Sequence, residues 1–439
     1  MRLIGILIAL SLAISLAWGF AIGAQPAPPR PQDMTVQVDQ AWYDALPADP
    51  ARAARAYLDR VPEEMRARGE AIANTRYWVF AAHIAMVFGF GALILFSGAA
   101  ADVRDRITKL TKNQHLQAAL FAIIFLVALF ALMMPIDVYR YVRARTFGFA
   151  DQPFAQWFGE LALDWLINTI FYTTGLVAVY AIMRRAPRTW VFWAGGVYAV
   201  LVTFFVLISP SVIEPLFNKL SPLAEGQLRE DILSLARAND VPVSEIAVSD
   251  ASRQSRLFNA HVSGLFGAAR ITMNDTTMTS QNEPGIRWVM GHEIGHYVMG
   301  HIPQGIVVSS VVMVIGFALL SWIMGVLVAR FGERWRAREI SDIALIPLLW
   351  CLFLLWGDLG APITNAYTRS QEIAADIYGL NASDEPNGMA EFSIHDADTQ
   401  RLTPTPLDIF LFYDHPSDKA RVEMAMRWRA EHFARPPAP

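Results

Sequence analysis

Seven runs of about 20 apolar residues constrain this chain more than any other feature, because a bilayer core about 30 Å thick takes about 20 residues of helix. They are Leu3 to Ala24, Trp78 to Ala100, Leu116 to Ile136, Leu161 to Met183, Trp190 to Val212, Gly305 to Ala329 and Ile343 to Ile363. Length alone, 439 residues, would suit about three soluble domains. A composition that is 54% hydrophobic and only 17% charged, gathered into such runs, excludes that reading. It predicts a multi-pass α-helical membrane protein with about seven transmembrane helices. Trp78, Trp190 and Tyr139 stand near run ends, where amphipathic rings anchor at the interface. Residues 1–24 read as a first transmembrane helix or a signal peptide. Arg2 precedes the run and Pro-rich sequence follows Ala24, but the run is long for a signal peptide, which favours retention. His83, Asp164 and Asp358 fall within apolar runs, where ionisable groups are costly, so each is expected to face a water-filled space or an interface.

The runs divide the chain. Residues 25–76 form a polar helical loop, with an amphipathic helix expected over Ala48 to Gly69, and residues 77–212 hold transmembrane helices two to five. A polar insert follows at 213–304, then helices six and seven at 305–363, then a polar helical tail at 364–439. Within the insert, the pattern predicts helices over Glu225 to Asn239 and Glu283 to about His301. Strands are expected at Glu245 to Ser249, Arg256 to Val262 and Ala269 to Asn274. Insert and tail together are expected to build one soluble α+β lobe. A net charge of -4 provides no broad basic field, so nucleic acid is excluded as a partner. The single cysteine, Cys351, excludes an internal disulfide and a thiolate metal cluster. Metal chemistry must therefore use His and carboxylates.

The insert carries them in Gly291-His292-Glu293-Ile294-Gly295-His296, an H-E-x-x-H on a predicted helix. Histidines four apart project from one helical face, so both imidazoles can hold one Zn2+ while Glu293 beside them handles a proton. With nine His in the chain, a chance match has odds of roughly one in a hundred. Catalytic zinc takes three protein ligands and a water. The spacing that would put Gly at 299 and His at 302 is absent, since Met299 and Ile302 stand there, and His301 is out of register and reads as structural. Glu372, in the helical stretch Asn365 to Asp376 just after the seventh run, is the better third ligand. Asp376, one turn on, can accept the outer ring N–H of a zinc-bound His, with His292 as its expected partner.

Several motifs together resemble the type I CAAX prenyl endopeptidase family of integral-membrane zinc metallopeptidases. They are Ile213 to Leu223 entering the insert, Phe258-Asn259-Ala260, the H-E-x-x-H, the N-A-x-(S/T)-R-x-x-E-x-x-A-D stretch, and His415-Pro416 followed by Arg421. His261 departs from the pattern, since relatives commonly carry an aromatic residue there. The resemblance implies a gluzincin-like α+β catalytic lobe over a chamber in the membrane, with one Zn2+ per chain on His292, His296 and Glu372 and with Glu293 as base. It also implies an oxyanion donor at His415, although a His before Pro is often only a cap or turn residue. From the residues themselves, Asn259 on its expected strand can hold an extended peptide, and Arg421 can pair with a carboxylate of the substrate or of the Glu372 helix, although a turn-forming Asn or a solvated Arg would read the same. The implied reaction removes C-terminal tripeptides from prenylated proteins. A quality-control protease for membrane proteins, without a prenyl requirement, is the alternative.

Partners are then a peptide or protein substrate, a prenylated C-terminus among the candidates, and the lipid bilayer. A metal transporter would place its ligands inside the apolar runs, a silent scaffold would lack a ligand or the base, and a site-2 intramembrane protease would bury H-E-x-x-H in a span. None fits. Arg and Lys counts on alternate loops do not decide orientation. The resemblance implies a cytosolic lobe, and an Arg bias with only four Lys suits a bacterial genome, hence an inner membrane.

Overall fold

The computed structural model describes residues 2–25, 38–263, 269–395 and 397–433. Among them six helices are long and apolar enough to cross a membrane: Glu63–Phe96, Gln114–Thr146, Phe154–Arg185, Trp190–Phe217, His301–Trp335 and Ile343–Ser383. The first apolar run is helical over Arg2–Gly23 and packs on this bundle through Phe20 against Phe154. Most of the Pro-rich stretch that follows it lies outside the described residues. Phe192, Trp193, Val307 and Trp322 point outward, as lipid-solvated helices require, while Tyr180, Met183 and Trp190 close the bundle's core.

Local chemistry sets where the helices break. The expected helix Ala48 to Gly69 is two, Pro50–Asp59 and Glu63–Phe96, because Pro62 lacks the N–H that a continuous helix needs and becomes an N-cap instead. The expected helix from Glu283 to His301 stops at Val298, since Gly300 adopts φ of +67° and starts the membrane helix His301–Trp335 in a new direction. The fifth run loses its α-helical ladder at Ser209–Ile213, a π-helical turn containing Pro210. The seventh does the opposite. Helix Ile346–Ser383 continues well past its apolar run and carries Glu372 and Asp376 into the lobe.

The lobe's sheet comprises β1 (Leu220–Pro222), β2 (Val243–Ser249), β3 (Ala260–Ser263) and β4 (Ala269–Asn274) in the order β1-β2-β4-β3. β2 and β4 are parallel, whereas β1 and β3 pair antiparallel to their neighbours. β3 is thus an edge, with Ala260 opposite Met273 and Ser263 opposite Arg270. It starts at Ala260, four residues later than expected, because the preceding backbone is held by other partners. The Arg256 N–H donates to Phe149 O, and the hydroxyls of Thr276 and Thr277 donate to Leu257 O and Asn259 O. The lobe core joins Ile232, Ile271, Ile286 and Met290 to Met426 from the tail. Ala53, Ala54 and Tyr57 of helix Pro50–Asp59 are buried in it too. Three stretches of chain build the lobe, one more than the sequence pattern suggested.

Candidate metal centre

Helix Glu283–Val298 begins where the Asn282 side chain accepts the Gly285 N–H, with Pro284 in the first turn. Ile286, Trp288, Met290 and Ile294 bury it in the lobe core. It meets helix Ile346–Ser383 at two glycines. A Cβ on Gly291 would lie 3.1 Å from the Gly379 Cα, and one on Gly379 would lie 2.8 Å from the His292 nitrogen. Backbone touches backbone, and this approach brings Glu372 and Asp376 against both histidines.

The His292 and His296 Nε2 atoms lie 3.1 Å apart, and the Glu372 oxygens lie 3.4 Å from the first and 3.3 Å from the second. Donors around a tetrahedral ion with ligand distances of about 2.0–2.1 Å stand about 3.3–3.4 Å from one another. The two imidazole nitrogens, and each nitrogen with the Glu372 oxygen facing it, stand near that spacing, and two imidazoles with a carboxylate are a donor set that zinc accepts. These residues could hold a metal ion.

Each imidazole is finished differently on its outer side. The His292 Nδ1 lies 2.8 Å from Oδ1 of Asp376, which is 0% exposed. Arg421 donates from Nε to Asp376 Oδ2 at 2.9 Å and from Nη2 to Glu372 Oε2 at 3.3 Å, with its guanidinium 5.7 Å from the Trp288 ring centre. The His296 Nδ1 lies 2.8 Å from the His301 Nδ1. Burial opposes charge on His292, but its hydrogen bonds to Asp376 and Glu372 prevail and hold its pKa up at about 9. Burial pushes the Glu293 carboxyl above the ordinary carboxylate range, the nearby histidine charges only partly opposing it.

Of the other residues singled out from sequence, His415 reaches the centre, with Nε2 3.2 Å from Glu372 Oε2 and Nδ1 2.8 Å from Asp414. Arg421 pairs with the carboxylates of the Glu372 helix, one of the two partners expected for it. Asn259 precedes the edge strand instead of lying on it, with its N–H donating to Thr277 Oγ1. His301, which the spacing reads as structural, lies against His296, a contact that sequence reasoning did not assign. Its signal was Gly300, whose left-handed backbone folds the next residue back toward His296. One cavity adjoins the centre and another follows the edge strand. The first, of about 430 Å³, is lined by Arg76, Phe258, Tyr413, His415 and Arg421, and the second, of about 750 Å³, runs along His261, Val262 and Ser263 of β3.

Comparison with known proteins agrees with this plan. Residues 222–429 match the family model for peptidase family M48, and residues 55–219 match that for the CAAX prenyl protease N-terminal region of five membrane helices. The uncharacterized metalloprotease YhfN of Bacillus subtilis (strain 168) is 25% identical over 83% of this chain and 86% of its own length. CAAX prenyl protease 1 of Saccharomyces cerevisiae is 26% identical over 65% of this chain and 66% of its own. In fold, the crystal structure of S. mikatae Ste24p matches with a TM-score of 0.68 at 20% identity, covering 96% of this chain and 98% of that one.

Proposed function

We propose, from the premise that this chain belongs to peptidase family M48 and is an integral membrane metalloprotease resembling the CAAX prenyl proteases, that it is a zinc endopeptidase. In this reading His292, His296 and Glu372 hold one Zn2+. The observation that carries it is the pair of Nε2 atoms 3.1 Å apart with one Glu372 oxygen 3.4 Å from the first and the other 3.3 Å from the second. A zinc ion there supplies Lewis acidity, which lowers the pKa of a water to about 7 and polarises a carbonyl.

The protein's own groups do the rest. Glu293, its pKa raised by burial, takes the proton of the attacking water and returns it to the leaving amine. His415 stands on the cavity side of Glu372 and donates to the oxygen on which negative charge develops. Asp376, braced by Arg421, fixes the His292 tautomer that turns Nε2 to the metal. The substrate enters as an extended segment along the outer edge of β3, which is unpaired among the described residues, with Asn259 at the end of that edge setting its register. Its class is a peptide or protein with a prenylated C-terminus. The membrane helices stand in the bilayer, and the lobe, built from residues 213–304 and 364–439 with helix Pro50–Asp59, lies on the cytosolic side, of the inner membrane in a bacterium.

Two variants test this reading. Glu372→Ala should lose the zinc found by metal analysis of the purified protein, because two imidazoles leave the ion underliganded. Unchanged zinc content would remove Glu372 from the ligand set. Glu293→Gln should keep zinc and lose nearly all peptide hydrolysis, since the amide keeps the shape but accepts no proton. Activity close to wild type in that variant would exclude Glu293 as the base.

A further inference from the structure

A third cavity, of about 610 Å³, lies between the membrane bundle and the lobe, and its lining is unusually cationic. Arg76 enters from helix Glu63–Phe96, and Arg140 and Arg143 enter from the end of helix Gln114–Thr146, with Asp137 the one acidic residue among the lining side chains. Three guanidinium groups face one carboxylate. Asp137 lies 3.4 Å from Arg140, whose side chain is 52% exposed, so that pair is weak. Arg143 donates to the Thr75 hydroxyl, and the Arg76 guanidinium lies 6.0 Å from the Tyr413 ring centre. Among the described residues neither Arg76 nor Arg143 has an ion-pair partner. Other arginines nearby do: Arg68 pairs with Asp398, Arg256 with Asp151 and Arg401 with Asp408. Arg76 and Arg140 both lie close enough to Arg143 for their charges to repel it. Such a cluster is relieved by an anion.

The place of the cluster identifies the anion. Arg76 and Thr399 line this cavity and also the one that contains His415 and Arg421, so the two adjoin. A segment added antiparallel to β3 runs from the Ser263 end toward Phe258, and Phe258 lines the His415 cavity. Residues beyond the scissile bond therefore head toward Arg76, and three extended residues span about 10 Å. We propose that Arg76, Arg140 and Arg143 bind the free C-terminal carboxylate of the substrate and so make the enzyme selective for cleavage near a chain end. The proposal rests on the peptidase reading above and deepens it. A lipid phosphate has the same charge, but a site that adjoins the catalytic cavity through Arg76 favours the substrate's own carboxylate.

The test uses the full chain in neutral detergent and two peptides identical except for a C-terminal carboxylate or carboxamide. Wild type should cleave the carboxylate with a kcat/KM at least about tenfold higher, the scale of a charge-assisted pair. In Arg76→Gln and Arg143→Gln that ratio should fall to about one, while Arg76→Lys and Arg143→Lys, which keep charge without the planar fork, should lie between. Because each ratio is internal to one preparation, partial misfolding does not imitate the effect. The Glu293→Gln variant should show the same preference in peptide binding by fluorescence anisotropy. A wild-type ratio of about one, or a ratio that survives both Gln variants, overturns the proposal. So does loss of the ratio when phosphatidylcholine nanodiscs are replaced by phosphatidylglycerol ones, which would give the cluster to lipid phosphate. If wild type cleaves neither peptide while Glu293→Gln still binds the carboxylate preferentially, the anion site stands and the peptidase reading falls.

Discussion

His292 and His296 leave one helix a single turn apart and turn the same ring nitrogen to the same point, yet the protein completes them differently. On the His292 side the outer partner is a charge, Asp376, sealed from solvent and itself matched by Arg421. On the His296 side it is another imidazole, His301, and the His296 side chain is 21% exposed against 6% for His292. A buried ion pair is costly to assemble and costlier to break, since removing one member leaves the other charge uncompensated. A contact between two imidazoles brings no buried carboxylate–guanidinium pair with it. The His292 arm is therefore the rigid half of the centre, and the His296 arm the one that tolerates change.

Asp376→Asn attacks the rigid arm and should have the largest effect. The amide cannot supply the charge, Arg421 is left in excess, and His292 loses the group that fixes its tautomer. Metal affinity should fall about 100-fold, the upper end for loss of an outer partner. Competition against a chelator measures it, with helix content by circular dichroism as the control for folding. A loss under about threefold would show that the two arms are equivalent.

His301→Phe attacks the tolerant arm. For His296 to present its Nε2 lone pair, the ring proton must sit on Nδ1, so the His301 Nδ1 2.8 Å away has to accept it. Phe retains the ring and removes the acceptor. Metal affinity should drop about tenfold, the lower end of the same range. A loss matching that of Asp376→Asn would abolish the distinction between the arms.

Sequence reading reached one arm and not the other, for a physical reason. His292, His296, Glu372 and Asp376 follow helical periodicity, and the seven apolar runs follow bilayer thickness, so local rules expose them. His301 is five residues from His296, a spacing that points away on a continuous helix, and it reaches its partner only because Gly300 breaks that helix. The same holds farther out. Helix Pro50–Asp59 lies more than 150 residues before the insert, and nothing in its polar pattern names the core that Tyr57 enters. Strand β1 is three residues long and ends in Pro222, too short to show alternation. Arg76, Arg140 and Arg143 come from two separate helices and look like ordinary helix-end cations until the fold unites them. Local periodicity was legible, whereas contacts made by breaks and crossings were not.

The smallest expected effect separates the arms by proton count. In the metal-free protein the His292 pKa stands at about 9, raised because its hydrogen bonds to Asp376 and Glu372 outweigh burial. If the proposed zinc ligation holds, the folded site keeps a proton on His292 at neutral pH that the ion would displace, since only the neutral ring is a ligand. Below about 9, each unit of falling pH should lower apparent zinc affinity about tenfold, and calorimetry in buffers of different ionisation enthalpy should find close to one proton released per ion at pH 7.5. His301→Phe should shift the whole affinity curve down and leave its slope intact, because the proton belongs to the other arm. Asp376→Asn should move the bend in the curve from about 9 toward the ordinary histidine value of about 6.5. A bend that moves in His301→Phe and stays in Asp376→Asn would assign the proton to the His296 arm and reverse the comparison.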